Sequence, residues 1–503
     1  MKCAILADLH LPDREDTFKE KLLDLTLASL RNEGIELILG AGDMTGFGTV
    51  PAAERLARKL RDTGIAFLLT PGNAEYRSGP ETSARIAEIL RTGLRKGRFV
   101  LLNSALSKLS DEARETLRTL PEHAVLITHT PPSHWPESDR TLLTEAENRY
   151  DLLIAGHVHY DSANGKIRTV RGMDPDKAIG GPPAPVIMED QTDGSFRFSE
   201  LEIPDFEASD ITCWPEAERK VFLDHVGISG MAEPLETLEF AAMERIAALE
   251  LRCNTLATIP EEKLKNALAH WRDCGGRILS LHLPDLGWKE GSLTGSDAVS
   301  QFIRAAAELG CTRLTLHVPN MSVNDFADQA IRETVLDHTV QRIAEANGLG
   351  MSVGIENMHM RKFEKPDGLR RYGYTVEECR DWLVLLRERL PKPDMTGFHF
   401  DIGHARNNPP YSSMEPISTW LAGLGPEMNA MHLHQVEKTP EGGLTNHRPI
   451  RTLFGPMISL SSLFLAWKAG QVPHVPMFLE IRSGLGPESY RTLRKLILPS
   501  EAF

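Results

Sequence analysis

The feature that most constrains this chain is a rhythm of short apolar runs separated by amphipathic stretches, with an acid, amide or imidazole just after many of the runs. Short apolar runs suit strands and the longer stretches suit helices, so the rhythm predicts βα alternation in layered α/β domains. It occurs twice, with different spacing. Up to about residue 186 the text reads CAILAD, a helical pattern over 17–32, LILGAGD, a helical pattern over 51–63, and AFLLTPGN. Eight further runs follow at 222–228, 249–253, 277–282, 313–317, 351–356, 397–401, 429–434 and 476–481, each separated by enough chain for a helix. Eight such units over about 285 residues predict a closed (β/α)8 barrel. Polar residues recur at the ends of six successive runs, where a barrel gathers its active site.

Between 180 and 215 the chain is rich in Pro, Gly and acids, with a hairpin expected at Asp193–Gly194. The expected organisation is therefore a first domain over 1–202, a linker over 203–216 and a second domain over 217–503. A chain of 503 residues exceeds one ordinary core. With 41% hydrophobic and 25% charged residues it reads as a soluble globular enzyme, not a disordered or fibrous chain. Its apolar runs are far shorter than the ~18 residues of a membrane span. Asp8 and His10 interrupt the N-terminus too early for a signal peptide, so the cytoplasm is the expected compartment. The six cysteines show no C-x-x-C spacing and read as small buried residues, with neither a disulfide framework nor a zinc ribbon implied. A formal charge of -14, with neither half basic, weakens without excluding a nucleic acid partner.

In the first half the polar run-ends are Asp8 and His10, Gly42-Asp43, Gly72-Asn73, Thr128-His129, and Gly156-His157-Val158-His159. On an extended segment Asp8 and His10 would point the same way, and ligands gather outside the carboxyl ends of strands, so these fragments are expected to converge. The ordered set D-x-H, G-D, G-N, H, G-H-x-H resembles the calcineurin-like metallophosphoesterase family over roughly residues 1–200. That resemblance implies a four-layer α/β/β/α sandwich with two divalent ions, Mn, Fe or Zn. It implies Asp8, His10 and His159 on one ion, Asn73, His129 and His157 on the other, and Asp43 bridging, with Asp43, Asn73 and His129 serving catalysis. Paired ions stabilise charge on both the attacking and leaving oxygens of a phosphoester. Where the family often reads G-N-H, this chain has Gly72-Asn73-Ala74. The missing histidine commonly contacts phosphate or protonates the leaving group, so activity should narrow toward good leaving groups.

In the second half the run-ends carry His282, His317, Glu356, Asp401 with His404, His432 with His434, and Glu480. This series resembles the TIM-barrel superfamily that joins three-zinc apurinic endonucleases with sugar isomerases and epimerases, over about 217–503. The endonuclease pattern has counterparts at His282, His317, Glu356, Asp401, His404, His432, His447 and Glu480, but Thr445 stands where that pattern has a carboxylate. A hydroxyl binds such ions weakly, so one or two ions are expected in the barrel instead of three. The isomerase and epimerase branch needs one ion, on Glu356, Asp401, His432 and Glu480, with Glu356 and Glu480 exchanging a proton beside a carbonyl. His399 and His434 are read as core histidines, and His123, His225, His270 and His338 receive no role. The leading expectation is a metal-dependent phosphoesterase, most simply a phosphodiesterase, joined to a sugar isomerase-like barrel and acting on a small phosphoester or sugar phosphate. The alternatives are a DNA-repair nuclease, or a barrel that only binds.

Overall fold

The computed structural model describes residues 1–90, 93–231, 233–256, 258–362 and 364–499. By backbone contacts the chain divides into two compact units, Met1–Asp210 with Phe454–Leu465, and Ile211–Leu453 with Ala466–Phe503.

The first unit is built on two sheets. One has β1 (Lys2–Leu6), β2 (Leu37–Ala41), β3 (Ala66–Thr70), β10 (Val186–Asp190) and β11 (Phe196–Glu200) in the order β11-β10-β1-β2-β3. The other has β4 (Arg95–Lys96), β5 (Phe99–Leu102), β6 (Ala124–Thr128), β7 (Tyr150–Ala155), β8 (Ser162–Asn164) and β9 (Ile167–Thr169) in the order β4-β5-β6-β7-β9-β8. Ile5, Leu39 and Met188 from the first sheet pack with Leu101, Ile127 and Ile154 from the second, so the core lies between the sheets. The helices Asp111–Arg118 and Glu137–Glu145 cover the far face of the second sheet through Leu117 and Leu143. The predicted helices appear as α1 (Phe18–Asn32), capped by the Thr17 hydroxyl, and α2 (Val50–Asp62), with proline in its first turn. The expected hairpin joins β10 to β11 antiparallel. A fully buried Lys19 pairs with Asp174 at 2.7 Å and Asp176 at 3.3 Å, and Asp176 also receives Ser462 Oγ at 2.5 Å. Those bonds tie the segment Phe454–Leu465 into this unit.

The second unit is a closed barrel of eight parallel strands: Val226–Ser229, Ala248–Arg252, Ile278–His282, Arg313–His317, Ser352–Glu356, Thr396–Asp401, Met428–Leu433 and Met477–Leu479. The first strand begins later than the apolar run at 222–228 suggests. Phe222 instead ends a helix, Glu216–Asp224, with its ring edge-on to Trp467 at 5.0 Å, because the helical stripe uses that apolar surface. The cysteines also depart from expectation. Only Cys3, Cys311 and Cys379 are buried, while Cys213 is exposed at the end of a short turn. No described helix is long and apolar enough to cross a membrane.

Candidate metal centres

In the sandwich the candidate ligands sit on loops just beyond β1, β2, β3, β6 and β7. Asp8 and His10 do not converge by strand alternation, as the sequence suggested. The strand ends at Leu6, and both residues are left-handed, at φ 51° and 50°. Asp43, His157 and His159 are left-handed too, at φ 52°, 70° and 60°. Each such residue costs about 1–2 kcal/mol, strain that the surrounding loops must offset. Those loops are closed on one another. A Cβ on Gly72 would meet Asp43 N at 2.2 Å, and one on Gly156 would meet Asp8 Oδ2 at 2.8 Å.

The ligand atoms gather around Asp43. One carboxylate oxygen faces His10 Nε2 at 3.7 Å and the other faces His129 Nε2 at 3.5 Å, which places Asp43 between two donor groups. On one side Asp8, His10 and His159 lie with their ligand atoms within 4.8 Å of one another. On the other, His129 Nε2 is 3.1 Å from Asn73 Oδ1 and 3.2 Å from His157 Nδ1. His129 Nδ1 faces the Ala41 carbonyl at 2.9 Å, which leaves Nε2 as the free lone pair.

Two observations test whether cations fit here. Both ring nitrogens of His10 and Nδ1 of His159 are buried without a hydrogen-bond partner. Asn73 Oδ1, His129 Nε2 and His157 Nδ1 are electron-pair donors facing one another, an arrangement a cation satisfies. Hydrogen bonding alone would turn the Asn73 amide over, so that its nitrogen donates to both imidazoles and its oxygen accepts from Arg77 Nη2 at 3.0 Å. Burial, then the Asp43 charge, push Asp8 well above the usual carboxylate range, while burial holds His10 and His159 well below theirs. Positive charge between them would relieve the first effect, and neutral imidazoles are the form that binds metal.

Glu75, the residue after Ala74, fixes this geometry. Its carboxylate accepts from Gly72 N at 2.7 Å, Thr45 N at 2.8 Å and Asp43 N at 3.2 Å. It therefore staples the Asp43 loop to the Asn73 loop. Asp43 in turn accepts from Ala74 N at 2.6 Å.

In the barrel the ligands are placed by register. His282, His317, Glu356 and Asp401 are the last residues of their strands, and pairing sets His317 beside Glu356 and Asp401 beside His432. Glu356 is fully buried and shared. One oxygen faces His282 Nε2 at 3.0 Å and His317 Nε2 at 3.4 Å, the other His432 Nδ1 at 3.2 Å and His404 Nδ1 at 3.3 Å. His432 Nδ1 also lies 3.5 Å from Asp401 and 3.4 Å from Glu480. Asp401 caps the helix Ile402–Arg406, accepting from His404 N at 2.6 Å, which brings its side chain and that of His404 over one strand end.

Three donor groups share Glu356 or Asp401: His282, His317 and Glu356; Glu356, Asp401, His432 and Glu480; and Asp401, His404, His434 and His447. His434, read as a core histidine, is buried and hydrogen-bonded, with Nε2 3.1 Å from Asp401 and Nδ1 3.0 Å from His447 N. Its ring also lies 4.6 Å from that of His447, whereas Thr445 pairs with Glu437 in the hairpin of Gln435–Lys438 and Leu444–Arg448. Burial opposes protonation of His317, yet Glu356 and Asp285 raise it to about 9, and Glu250 and Glu356 likewise raise His432 well above its ordinary value. Burial instead holds His282, His399 and His404 below their ordinary values, so the carboxylates favour protonation of only some of these imidazoles.

Sequence reasoning missed Glu250. This buried acid accepts from Ser280 Oγ at 3.1 Å and Thr315 Oγ1 at 2.8 Å, and faces His432 Nε2 at 2.7 Å, fixing which ring nitrogen of His432 points at the donor groups. An acid inside the apolar run ALELR was the available signal. His399, read as a core histidine, lies beside this network with Nδ1 3.0 Å from Thr315 Oγ1. His359, also unassigned, packs its ring 4.5 Å from that of His404.

Residues 227–497 match the family described as xylose isomerase-like TIM barrel, and residues 1–161 match calcineurin-like phosphoesterase. No curated protein matches the chain by sequence. Among solved structures, a D-tagatose 3-epimerase-like protein is 17% identical, covering 55% of this chain and 97% of that one with a TM-score of 0.40. A putative xylose isomerase from Rhodospirillum rubrum is 14% identical, covering 55% and 97% at 0.42. A 3-keto-D-glucoside 4-epimerase from E. coli is 15% identical, covering 55% and 99% at 0.38.

Proposed function

Since the chain belongs to the xylose isomerase-like TIM barrel family and also carries a calcineurin-like phosphoesterase domain, we propose that it is a metalloenzyme with two centres. In this reading the first is a binuclear phosphodiesterase and the second a metal site for a sugar or sugar phosphate. The position of Asp43 between two buried donor groups carries the first reading. Bound divalent ions would supply Lewis-acid stabilisation of phosphoryl charge and acidify water. Asp43 would bridge them, Asp8, His10 and His159 would hold one, Asn73, His129 and His157 the other, and Glu75 would keep the loops in register.

In the barrel, His432 Nδ1 lies within 3.4 Å of both Glu356 and Glu480, so these carboxylates flank one position. They are the pair proposed to exchange a proton next to a carbonyl. Arg252 pairs with Glu480, and burial and the Arg252 charge lower the neighbouring Arg482. Two guanidiniums near Glu480 support a substrate with an anionic group.

The test for the sandwich is hydrolysis of bis-p-nitrophenyl phosphate with Mn²⁺, which Asp43→Ala should reduce by at least about 10³-fold, given what metal-held charge stabilisation contributes. Full turnover by that variant with its metals verified absent would end the binuclear reading. For the barrel, Glu480→Gln should abolish solvent deuterium exchange into ketoses or their phosphates.

The third donor group favours a second reading of the barrel alone, as a polynuclear phosphoester centre. Cleavage of abasic duplex DNA at low salt by the Asp43→Ala protein would establish it over the epimerase reading.

A further inference from the structure

The phosphoesterase centre, if it binds phosphoesters, needs a cation for the oxygens of its substrate, and position 74 offers only a methyl group. Arg77 stands one short turn further on. The turn Ala74–Tyr76 is closed by Arg77 N donating to Ala74 O at 3.2 Å, and it returns the Arg77 side chain toward Asn73. There its Nη2 lies 3.0 Å from the Asn73 side-chain amide. Nη1 donates to the Gly46 carbonyl at 2.9 Å, which anchors one edge of the fork on the loop that follows Asp43.

Among the described residues no carboxylate lies within 4.0 Å of the guanidinium, whereas the half-buried Arg98 pairs with Asp151 and Asp190 and Arg171 with Asp161 and Glu200. An arginine has five donors, and a partly buried one with a single protein acceptor retains donors for a ligand.

When the Asn73 oxygen faces His129 and His157, its amide nitrogen faces Arg77. Two donors then stand 3.0 Å apart on the outer side of a candidate ligand, with no protein acceptor between them. That is a place for an anionic oxygen.

We propose that Arg77 binds a non-bridging phosphoryl oxygen of the substrate, with the Asn73 amide beside it, and so is a substrate-contacting residue of the sandwich centre. This rests on the phosphoesterase reading above. In a chain of net charge -14, such a local cation also favours approach of an anionic substrate.

The test uses the full-length, metal-loaded protein with Arg77→Ala, Arg77→Lys and, as a loop control, Ser78→Ala. Ser78 Oγ holds the Phe47 carbonyl at 2.6 Å and so removes a neighbouring anchor without touching charge. The readouts are bound metal, KM and kcat for bis-p-nitrophenyl phosphate, and calorimetric binding of inorganic phosphate. Arg77→Ala should raise KM and the phosphate Kd roughly tenfold or more with metal content unchanged, by the usual weight of a charge-assisted contact. Arg77→Lys should restore part of the loss, and Ser78→Ala should match wild type. Unchanged KM and Kd in Arg77→Ala, or an equal loss in Ser78→Ala, would overturn the proposal. Wild-type protein that binds metal but hydrolyses no phosphoester would refute the phosphoesterase reading instead, and phosphate binding would still decide the anion site.

Discussion

The sandwich and the barrel assemble similar ligand types by opposite means. In the sandwich, five of the candidate ligands have left-handed backbones on loops closed by Gly72 and Gly156, and one carboxylate, Glu75, ties two of those loops together. In the barrel, His282, His317, Glu356 and Asp401 end regular strands, and the hydrogen-bond register sets His317 beside Glu356 and Asp401 beside His432, with His447 the one left-handed member of the three groups. Loop geometry stores strain and depends on a few close contacts. Strand geometry distributes the positioning over the whole sheet, so the barrel should tolerate backbone change and respond mainly to lost side chains.

The harshest way to sharpen this contrast is Gly72→Ala. The added methyl would sit 2.2 Å from the Asp43 backbone nitrogen, which cannot move without carrying the Asp43 carboxylate away. We expect about 1–3 kcal/mol of destabilisation and a loss of phosphoesterase activity of about 10²-fold, read by thermal unfolding and kinetics. Barrel metal content should be unaffected, and equal loss from both centres would break the comparison.

A smaller effect is expected from Glu250→Gln. The amide keeps the shape but weakens the bond that orients His432, so barrel metal affinity should fall about 10–100-fold while bis-p-nitrophenyl phosphate hydrolysis is retained. Competition with a chelating dye would measure it.

Smaller again is His434→Ala, for which elemental analysis of the full-length protein should find one ion fewer if the third donor group is filled. The count would stay unchanged if His434 only fills the core. Thr445→Asp should do least, because Thr445 pairs with Glu437 in the hairpin and the third group already offers four donors, so no increase in metal content is expected.

Much of the barrel was legible because its signal is local. A run such as MSVGIE places Glu356 at a strand end whatever surrounds it, and the closed barrel then brings six such ends together. Alternation placed His434 inside the barrel, but it reports which way a side chain points and not what it meets there, which is Asp401 and His447. Glu250 was missed because a lone acid within an apolar run has no partner in the sequence. Its partners Ser280, Thr315 and His432 come from three other strands.

By itself the sequence determined two α/β bodies, the eight runs of the barrel and the ligand types at most strand ends, since each follows from short-range periodicity. Only the tertiary structure decided the strand order of the first unit's sheets, that Asp8 and His10 converge through left-handed loops, that Glu75 staples two of those loops, that His434 lies beside Asp401 and His447 and that Arg77 faces Asn73. Those facts depend on contacts between segments far apart in the chain, where distance and backbone conformation are set by packing and leave no periodic trace.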